Sequence, residues 1–110
     1  MDQSLANRLN ELWKQNDVLK AAEETYLRLE GERKSLLAQL TLNADGKSFA
    51  EREAKALASS DWKRFVAGHV MAETVMNFEK RKYSILEQAY YAAYSTMKLE
   101  DRSIRKPGVA

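Results

Sequence analysis

A seven-residue repeat in the second half of the chain constrains its fold more than any other feature. Large apolar or aromatic side chains, with one histidine among them, recur at every seventh position from residue 62 to residue 104. They are Trp62, His69, Met76, Tyr83, Tyr90, Met97 and Ile104. A heptad spacing keeps one side of a helix against a neighbouring helix along its length. The repeat therefore predicts a long helix packed against another helix.

The first part of the chain predicts a second long helix. Apolar residues recur there at steps of three and four over residues 3–41, while Glu, Lys, Gln and Arg fill the gaps. They are Leu5, Leu9, Leu12, Leu19, Tyr26, Leu29, Leu36, Leu37 and Leu40. Asn16 interrupts this pattern. Gly31 also lies in the segment, and a helical glycine costs about 1 kcal/mol relative to alanine. We expect Gly31 either to mark a bend or to permit a close approach by another element.

Turn-forming residues separate the two long helices. Residues 43–46 read Asn-Ala-Asp-Gly, in which the glycine can supply the positive φ of a tight turn. Ser48 and Glu51 have the spacing of a capping box, in which the serine oxygen accepts an amide hydrogen bond and the glutamate reaches back. The turn is therefore placed at residues 42–48, and a helix is predicted to begin at Phe49.

A second helix start lies at residues 59–61, because Ser-Ser-Asp favours a cap over a helix interior. Two arrangements are open: a short helix over 49–58 followed by a long helix over 61–103, or one continuous helix. Residues 104–110 contain the chain's one proline and are expected to form a flexible tail. A length of 110 residues fits a single helical domain.

The lengths of the predicted helices indicate the fold class. A helix of roughly 38 residues spans about 57 Å, whereas a compact globule of this size has a radius of gyration near 13 Å. We therefore expect an all-α fold, an elongated antiparallel helical hairpin with coiled-coil-like packing and a short connecting helix at its corner.

That corner favours one register between the two long helices. It pairs Leu40 with Trp62, Tyr26 with Met76, and Glu23 with Glu79. The last pair is a flaw in the register, because two carboxylates on one seam repel each other. Shifts by one heptad would match the pattern almost as well.

The last helix carries a second apolar stripe, which one neighbouring helix cannot cover. It comprises Val66, Val70, Val75, Phe78, Ile85, Ala89 and Ala92. We expect a homodimer or another protein partner to cover it. The predicted partner or dimer interface consists of Trp13, Val66, Val70, Val75, Phe78, Ile85, Tyr90, Tyr91 and Tyr94.

Nucleic-acid binding is the main alternative function. Basic residues follow one another or flank tyrosines on the last helix, and such sets can contact phosphates and stack on bases. The candidate residues are Lys80, Arg81, Lys82, Lys98 and Arg102. The net charge of +2 neither requires nor excludes nucleic acid. A structural interpretation competes with this one, in which the tyrosines pack and the lysines form a solvated face.

Catalytic and metal-binding chemistry finds little support in the sequence. The chain has no cysteine and one histidine, His69, with Glu73 four residues later on the same helical face. This pair could be half of a metal site, but no further ligand completes it, which favours a packed imidazole. No nucleophile motif or phosphate-binding glycine loop is present. We therefore predict a non-enzymatic protein without metal, cofactor or small-molecule substrate.

No part of the sequence predicts membrane association. No apolar run approaches the roughly 20 residues that span a bilayer, and the first residues lack the basic and apolar regions of a secretory signal. The apolar stripes are interspersed with acidic residues, unlike membrane-surface helices. A soluble cytoplasmic protein is expected.

Residues 49–58, with the sequence FAEREAKALA, and the Leu-Glu-Asp-Arg segment at 99–102 resemble small all-helical accessory proteins of bacteriophages and prophages. The resemblance covers roughly residues 48–103 and carries no catalytic residue. It implies an accessory or regulatory protein of DNA replication or recombination gene clusters. The predicted function is thus that of a helical interaction protein that contacts a protein of the DNA-processing machinery.

Overall fold

The computed structural model describes residues 3–105 of the chain, and it describes side chains for residues 3–102. The described residues form three α-helices: α1 over Gln3–Asn43, α2 over Phe49–Ala58 and α3 over Ser60–Arg105. No strand occurs in residues 3–105. The predicted all-α class is therefore confirmed.

The ends of the helices differ slightly from the sequence-based expectations. The first helix continues to Asn43, two residues beyond the predicted end, and α3 begins at Ser60. Because α3 extends to Arg105, residues 104 and 105 are helical and do not belong to a tail. Residues 106–110 of the predicted tail lie outside the described residues.

The start of α2 is fixed by a variant of the capping box. The Ser48 hydroxyl oxygen accepts the Glu51 amide hydrogen bond at 3.2 Å, as the sequence predicts. The Glu51 carboxylate, however, accepts from the backbone N–H of Lys47 at 3.0 Å, one residue before the cap. Arg52 Nε donates to the Gly46 carbonyl at 2.9 Å and so ties the preceding turn to α2.

A break at Ser59 separates α2 from α3. Its backbone is extended, with φ −69° and ψ 151°, so the helix cannot run through it. The Ser59 hydroxyl donates to the Ala56 carbonyl at 2.6 Å and accepts from the Trp62 N–H at 3.2 Å. One side chain therefore closes α2 and caps α3. Of the two arrangements left open by the sequence, the structure has the one with separate helices.

The chain divides into two compact units. The terminal unit comprises residues up to Leu19 and residues from Phe78 onward. Its buried residues include Leu5 and Gln15, and the Gln15 side-chain amide donates to the Glu79 carbonyl oxygen at 3.2 Å and to the Glu79 carboxylate. The heptad positions in this unit, Tyr83, Tyr90 and Met97, are half-buried.

The central unit comprises Lys20–Asn77. Its buried residues include the first three heptad positions, Trp62, His69 and Met76. Tyr26 stacks on His69, with ring centroids 5.2 Å apart, and the Arg33 guanidinium lies 5.5 Å from the Trp62 ring. The order of these contacts is reversed between α1 and α3, as in an antiparallel pair.

The predicted register is wrong by one heptad. Trp62 lies against Arg33, which precedes the predicted neighbour Leu40 by seven residues. Tyr26 correspondingly contacts His69 rather than Met76. A heptad shift leaves the same helical faces in contact, so the apolar pattern does not distinguish the two registers.

Candidate interaction surfaces

An aromatic column in the central unit contains the only histidine. Four rings, from Trp62, Phe65, His69 and Tyr26, stack in that order with centroid distances of 5.7, 6.1 and 5.2 Å. The His69 side chain is buried. The imidazole is therefore a packed core group, as the structural interpretation of the sequence favours.

His69 meets a carboxylate from α1 rather than from its own helix. Its Nε2 atom lies 2.6 Å from a Glu30 carboxylate oxygen. This buried nitrogen has no partner with hydrogen-bond alignment, so the contact with Glu30 is close but misaligned, and it is an ion pair only when the imidazole is protonated. Helical spacing in the sequence indicates Glu73 as a neighbour but not Glu30, because only the register of α1 on α3 brings Glu30 to His69.

His69 and its neighbours among residues 3–102 do not supply a set of three metal ligands. Within the described part of the chain, no three His, Cys, Asp or Glu side chains are grouped closely enough to hold a metal ion. Glu30 also affects the pKa of a second neighbour, Tyr26. The Glu30 charge, together with burial, the Glu73 charge and a hydrogen bond to Glu30, raises the pKa of the Tyr26 hydroxyl above its ordinary value of 10.0.

The α3 seam is a line of residues in the terminal unit, at alternating steps of four and three, and all of them are exposed except the half-buried Ala89. It consists of Phe78, Lys82, Ile85, Ala89, Ala92, Thr96 and Leu99. Phe78 is 57% exposed and Ile85 is 66% exposed. At about 100° per residue, both lie roughly 140–160° around the helix from the half-buried Tyr83. The seam therefore faces away from the side of α3 that is packed.

The second apolar stripe predicted from the sequence coincides only in part with the α3 seam. Val66 is half-buried and Val70 is exposed, but about 100° per residue places them about 120° and 80° from Phe78. Val75 is exposed and lies about 60° from Phe78. Met71, also exposed, lies seven residues before Phe78 and was missed, although its heptad spacing could have revealed it.

The predicted aromatic anchors fall into two groups. Trp13 and Tyr91 are exposed. Tyr90 is half-buried and packs edge-on against Tyr91 at 5.4 Å and in a stack with Tyr94 at 6.3 Å. The Lys98 ammonium lies 5.4 Å from the Tyr94 ring centre, in a cation–π contact. All three tyrosines thus already have an aromatic neighbour, and Tyr94 has a cationic one as well.

The five basic residues of the nucleic-acid alternative are all exposed. Arg81 and Lys82 border a shallow groove of about 380 Å³ that Phe78 and Ile85 also line. Lys98 and Arg102 lie instead beside Tyr94 and Leu99. Because Lys80 and Lys98 are 18 positions apart on one helix, they are separated by about 27 Å at about 1.5 Å per residue. The structure does not bring these residues together into one patch.

A groove between the end of α1 and the start of α2 was not predicted. Its volume is about 540 Å³, and Leu37, Leu42 and Phe49 supply its large apolar side chains. Lys34, Lys47 and Arg52 also line it, together with one acidic residue, Glu53. The sequence offered only a weak signal, because Leu42 and Phe49 flank the turn and belong to no stripe.

Comparison with known proteins gives this chain no relative: no protein family, curated protein or solved structure matches it. None of the helices over residues 3–105 combines the length and apolar character needed to cross a membrane.

Proposed function

We propose that this chain is a non-enzymatic helical interaction protein that forms a homodimer through α3 and regulates a protein partner by direct contact. The observation that carries the proposal is the α3 seam, in which Phe78 and Ile85 remain more than half exposed at a heptad spacing. Burying a large apolar side chain contributes roughly 1.5–3 kcal/mol relative to leaving it exposed. Covering both residues therefore contributes favourably to association.

The predicted antiparallel hairpin with coiled-coil packing belongs to the same proposal. The reversed order of the Tyr26–His69 and Arg33–Trp62 contacts supports it within the central unit. The partner class that the resemblance implies, a protein of DNA replication or recombination, stays a prediction. So does the cytoplasmic location.

Single-strand nucleic-acid binding has less support. Stacking of bases needs accessible aromatic faces, whereas Tyr90 and Tyr94 pack on each other and Lys98 covers part of Tyr94. A titration of fluorescent oligonucleotide at low salt separates the two functions. Binding that weakens steeply with salt would favour the nucleic-acid function, since counterion release drives it.

Sedimentation equilibrium over a concentration series tests the homodimer. We expect the wild-type chain to dimerise and Ile85→Glu to be monomeric, because the carboxylate would have to be desolvated in the seam. Leu27→Glu is the matched control, since Leu27 is a comparably exposed leucine on α1. A wild-type monomer at high micromolar concentration, or equal association of Ile85→Glu and wild type, would refute self-association through the seam.

A further inference from the structure

The α1–α2 groove combines exposed apolar residues with basic side chains. Its two outer apolar residues, Leu42 and Phe49, are 75% and 70% exposed, more than any other large apolar residue whose side chain the structure describes. They lie at either end of the turn between the helices and both line the groove. Two large apolar side chains that converge on one concavity are a typical anchor point for a partner.

The floor of the groove is apolar in character. Leu37 is half-buried there. The buried Thr41 donates its hydroxyl to the Leu37 carbonyl at 2.7 Å, so its polar group is already satisfied within α1. An apolar side chain that enters the groove would therefore not leave this hydroxyl without a hydrogen bond.

The charges around the groove are predominantly positive. Three cationic residues, Lys34, Lys47 and Arg52, face one carboxylate, that of Glu53. Among the described side chains, no acidic group lies within ion-pair distance of the Lys34 or Lys47 ammonium groups. Arg52 uses Nε on the Gly46 carbonyl, which holds its guanidinium at the turn. An occupant with apolar anchors and acidic flanks complements this arrangement.

The shape of the groove favours a helix over a small molecule. Small-molecule sites typically bury 70–90% or more of the ligand, but here Leu42 and Phe49 would leave such a ligand open to water on one side. An amphipathic helix that lies in the groove supplies the missing wall itself, with anchors at positions i, i+3 or i+4, and i+7.

From these observations we infer that the α1–α2 groove is a docking site for an acidic amphipathic helix of a partner protein. The inference rests on the proposed function in so far as that function requires a protein partner, but it does not depend on the α3 seam. Leu42 and Phe49 supply the apolar contact, and Lys34 and Lys47 select for acidic flanks.

Fluorescence anisotropy with a panel of designed helical peptides tests the inference. Each labelled peptide has about five turns and the same leucine face, and its opposite face carries Glu, Gln or Lys. We expect the acidic peptide to bind about tenfold or more tightly than the basic one, and Lys34→Glu with Lys47→Glu to remove this preference. Leu42→Ala and Phe49→Ala should each weaken binding by about tenfold or more.

Leu27→Ala is the matched control, because it removes an equally large exposed leucine from α1 outside the groove. Circular dichroism verifies that each variant keeps its helices. Equal binding of the three peptides, no binding of the acidic peptide, or insensitivity to Leu42→Ala and Phe49→Ala would overturn the inference. A wild-type dimer that dissociates on Phe49→Ala would also overturn it, by assigning the groove to a second copy.

The same titration on Ile85→Glu separates this inference from the proposed function. Groove-dependent binding by a monomeric Ile85→Glu variant supports the docking site independently of the dimer. If the wild-type chain is monomeric as well, only self-association is refuted. A dimer that binds none of the peptides has the reverse meaning: self-association stands and the docking site fails.

Discussion

The Gln15 side chain on α1 binds Glu79 on α3 through a bifurcated hydrogen bond. One side-chain nitrogen of Gln15 donates both to the backbone carbonyl oxygen and to the carboxylate of Glu79. The glutamine is 4% exposed and Glu79 is half-buried. The predicted register placed Glu23 opposite Glu79, so an amide donor occupies the place where a second, repelling carboxylate was expected.

Gln15→Leu should lower the free energy of unfolding by about 1–3 kcal/mol, because the half-buried Glu79 carboxylate would lose its donor. Glu79→Leu alone should also destabilise the chain, since it leaves the Gln15 amide partly unsatisfied. The double variant, Gln15→Leu with Glu79→Leu, should recover much of the loss, because it removes both polar groups. Urea denaturation of the four proteins measures the coupling. Strictly additive effects would show that the two side chains do not stabilise each other.

Tyr26 should make stability fall in alkaline solution. The Glu30 charge is the largest cause that raises the pKa of Tyr26 in the folded chain. Around and above pH 10 the unfolded tyrosine therefore loses its proton first, and the folded state holds more protons than the unfolded state. Since stability then decreases as pH rises, this contribution is complete below the unfolded pKa and is lost as pH passes through the raised, folded pKa.

Tyr26→Phe removes that contribution. We expect the difference in unfolding free energy between wild type and Tyr26→Phe to shrink or change sign between neutral pH and pH 11, as measured by urea denaturation. Tyr91→Phe is the control for other alkaline titrations, because Tyr91 is exposed. A pH-independent difference for Tyr26→Phe would contradict the assignment.

The sequence predicted those features that depend on periodicity along one helix. The residues at 62, 69 and 76 are buried because a heptad spacing places them on one face of α3. The same logic could not choose between registers one heptad apart, so it missed Arg33 beside Trp62 and Glu30 beside His69. Contacts between helices depend on the length of the corner, which no repeat encodes.

The candidate surfaces were predictable to different degrees. Phe78 and Ile85 belong to a stripe visible in the sequence, and the structure leaves them exposed. Val70 was assigned to the same stripe, although the eight residues between it and Phe78 turn the helix about 80° beyond two full turns. The α1–α2 groove escaped prediction, because Leu42 and Phe49 come together through the path of the turn and not through a helical period.

Gly31 and Gly68 should be replaceable by alanine with a gain in stability. Both lie inside continuous helices, and a Cβ atom at either position would meet nothing within 4 Å beyond the adjacent residues and the nearby backbone of its own helix. Gly31 therefore permits no close approach within the described part of the chain. Each substitution should raise the free energy of unfolding by about 0.8–1 kcal/mol, the difference in helix propensity. Gly46→Ala is the contrasting variant, because its Cβ would lie 3.0–3.3 Å from Arg52 and Glu51. A loss of stability in Gly31→Ala would indicate a neighbour that covers this surface.

Ser48→Ala should destabilise α2 by about 1 kcal/mol, because the Glu51 amide would lose its capping oxygen. Thermal unfolding followed by circular dichroism measures the change. Ser48→Asp is expected to keep most of the stability, since aspartate also caps helices. Equal losses in the alanine and aspartate variants would mean that the hydroxyl itself, rather than an oxygen acceptor, is required.

Lys82 should limit the strength of self-association. It occupies the α3 seam between Phe78 and Ile85, at the spacing where an apolar residue would be buried in a helix pair. Polar residues at such positions lower stability while they restrict register and the number of chains. Lys82→Leu should therefore lower the dissociation constant of the homodimer by about tenfold or more, equivalent to about 1.4 kcal/mol. Sedimentation equilibrium measures the dissociation constant, with Lys80→Leu as the control. Lys80 is also exposed but lies about 160° from Lys82 around the axis of α3. If both variants strengthened association equally, the effect would come from added hydrophobicity and the seam would not be the contact surface.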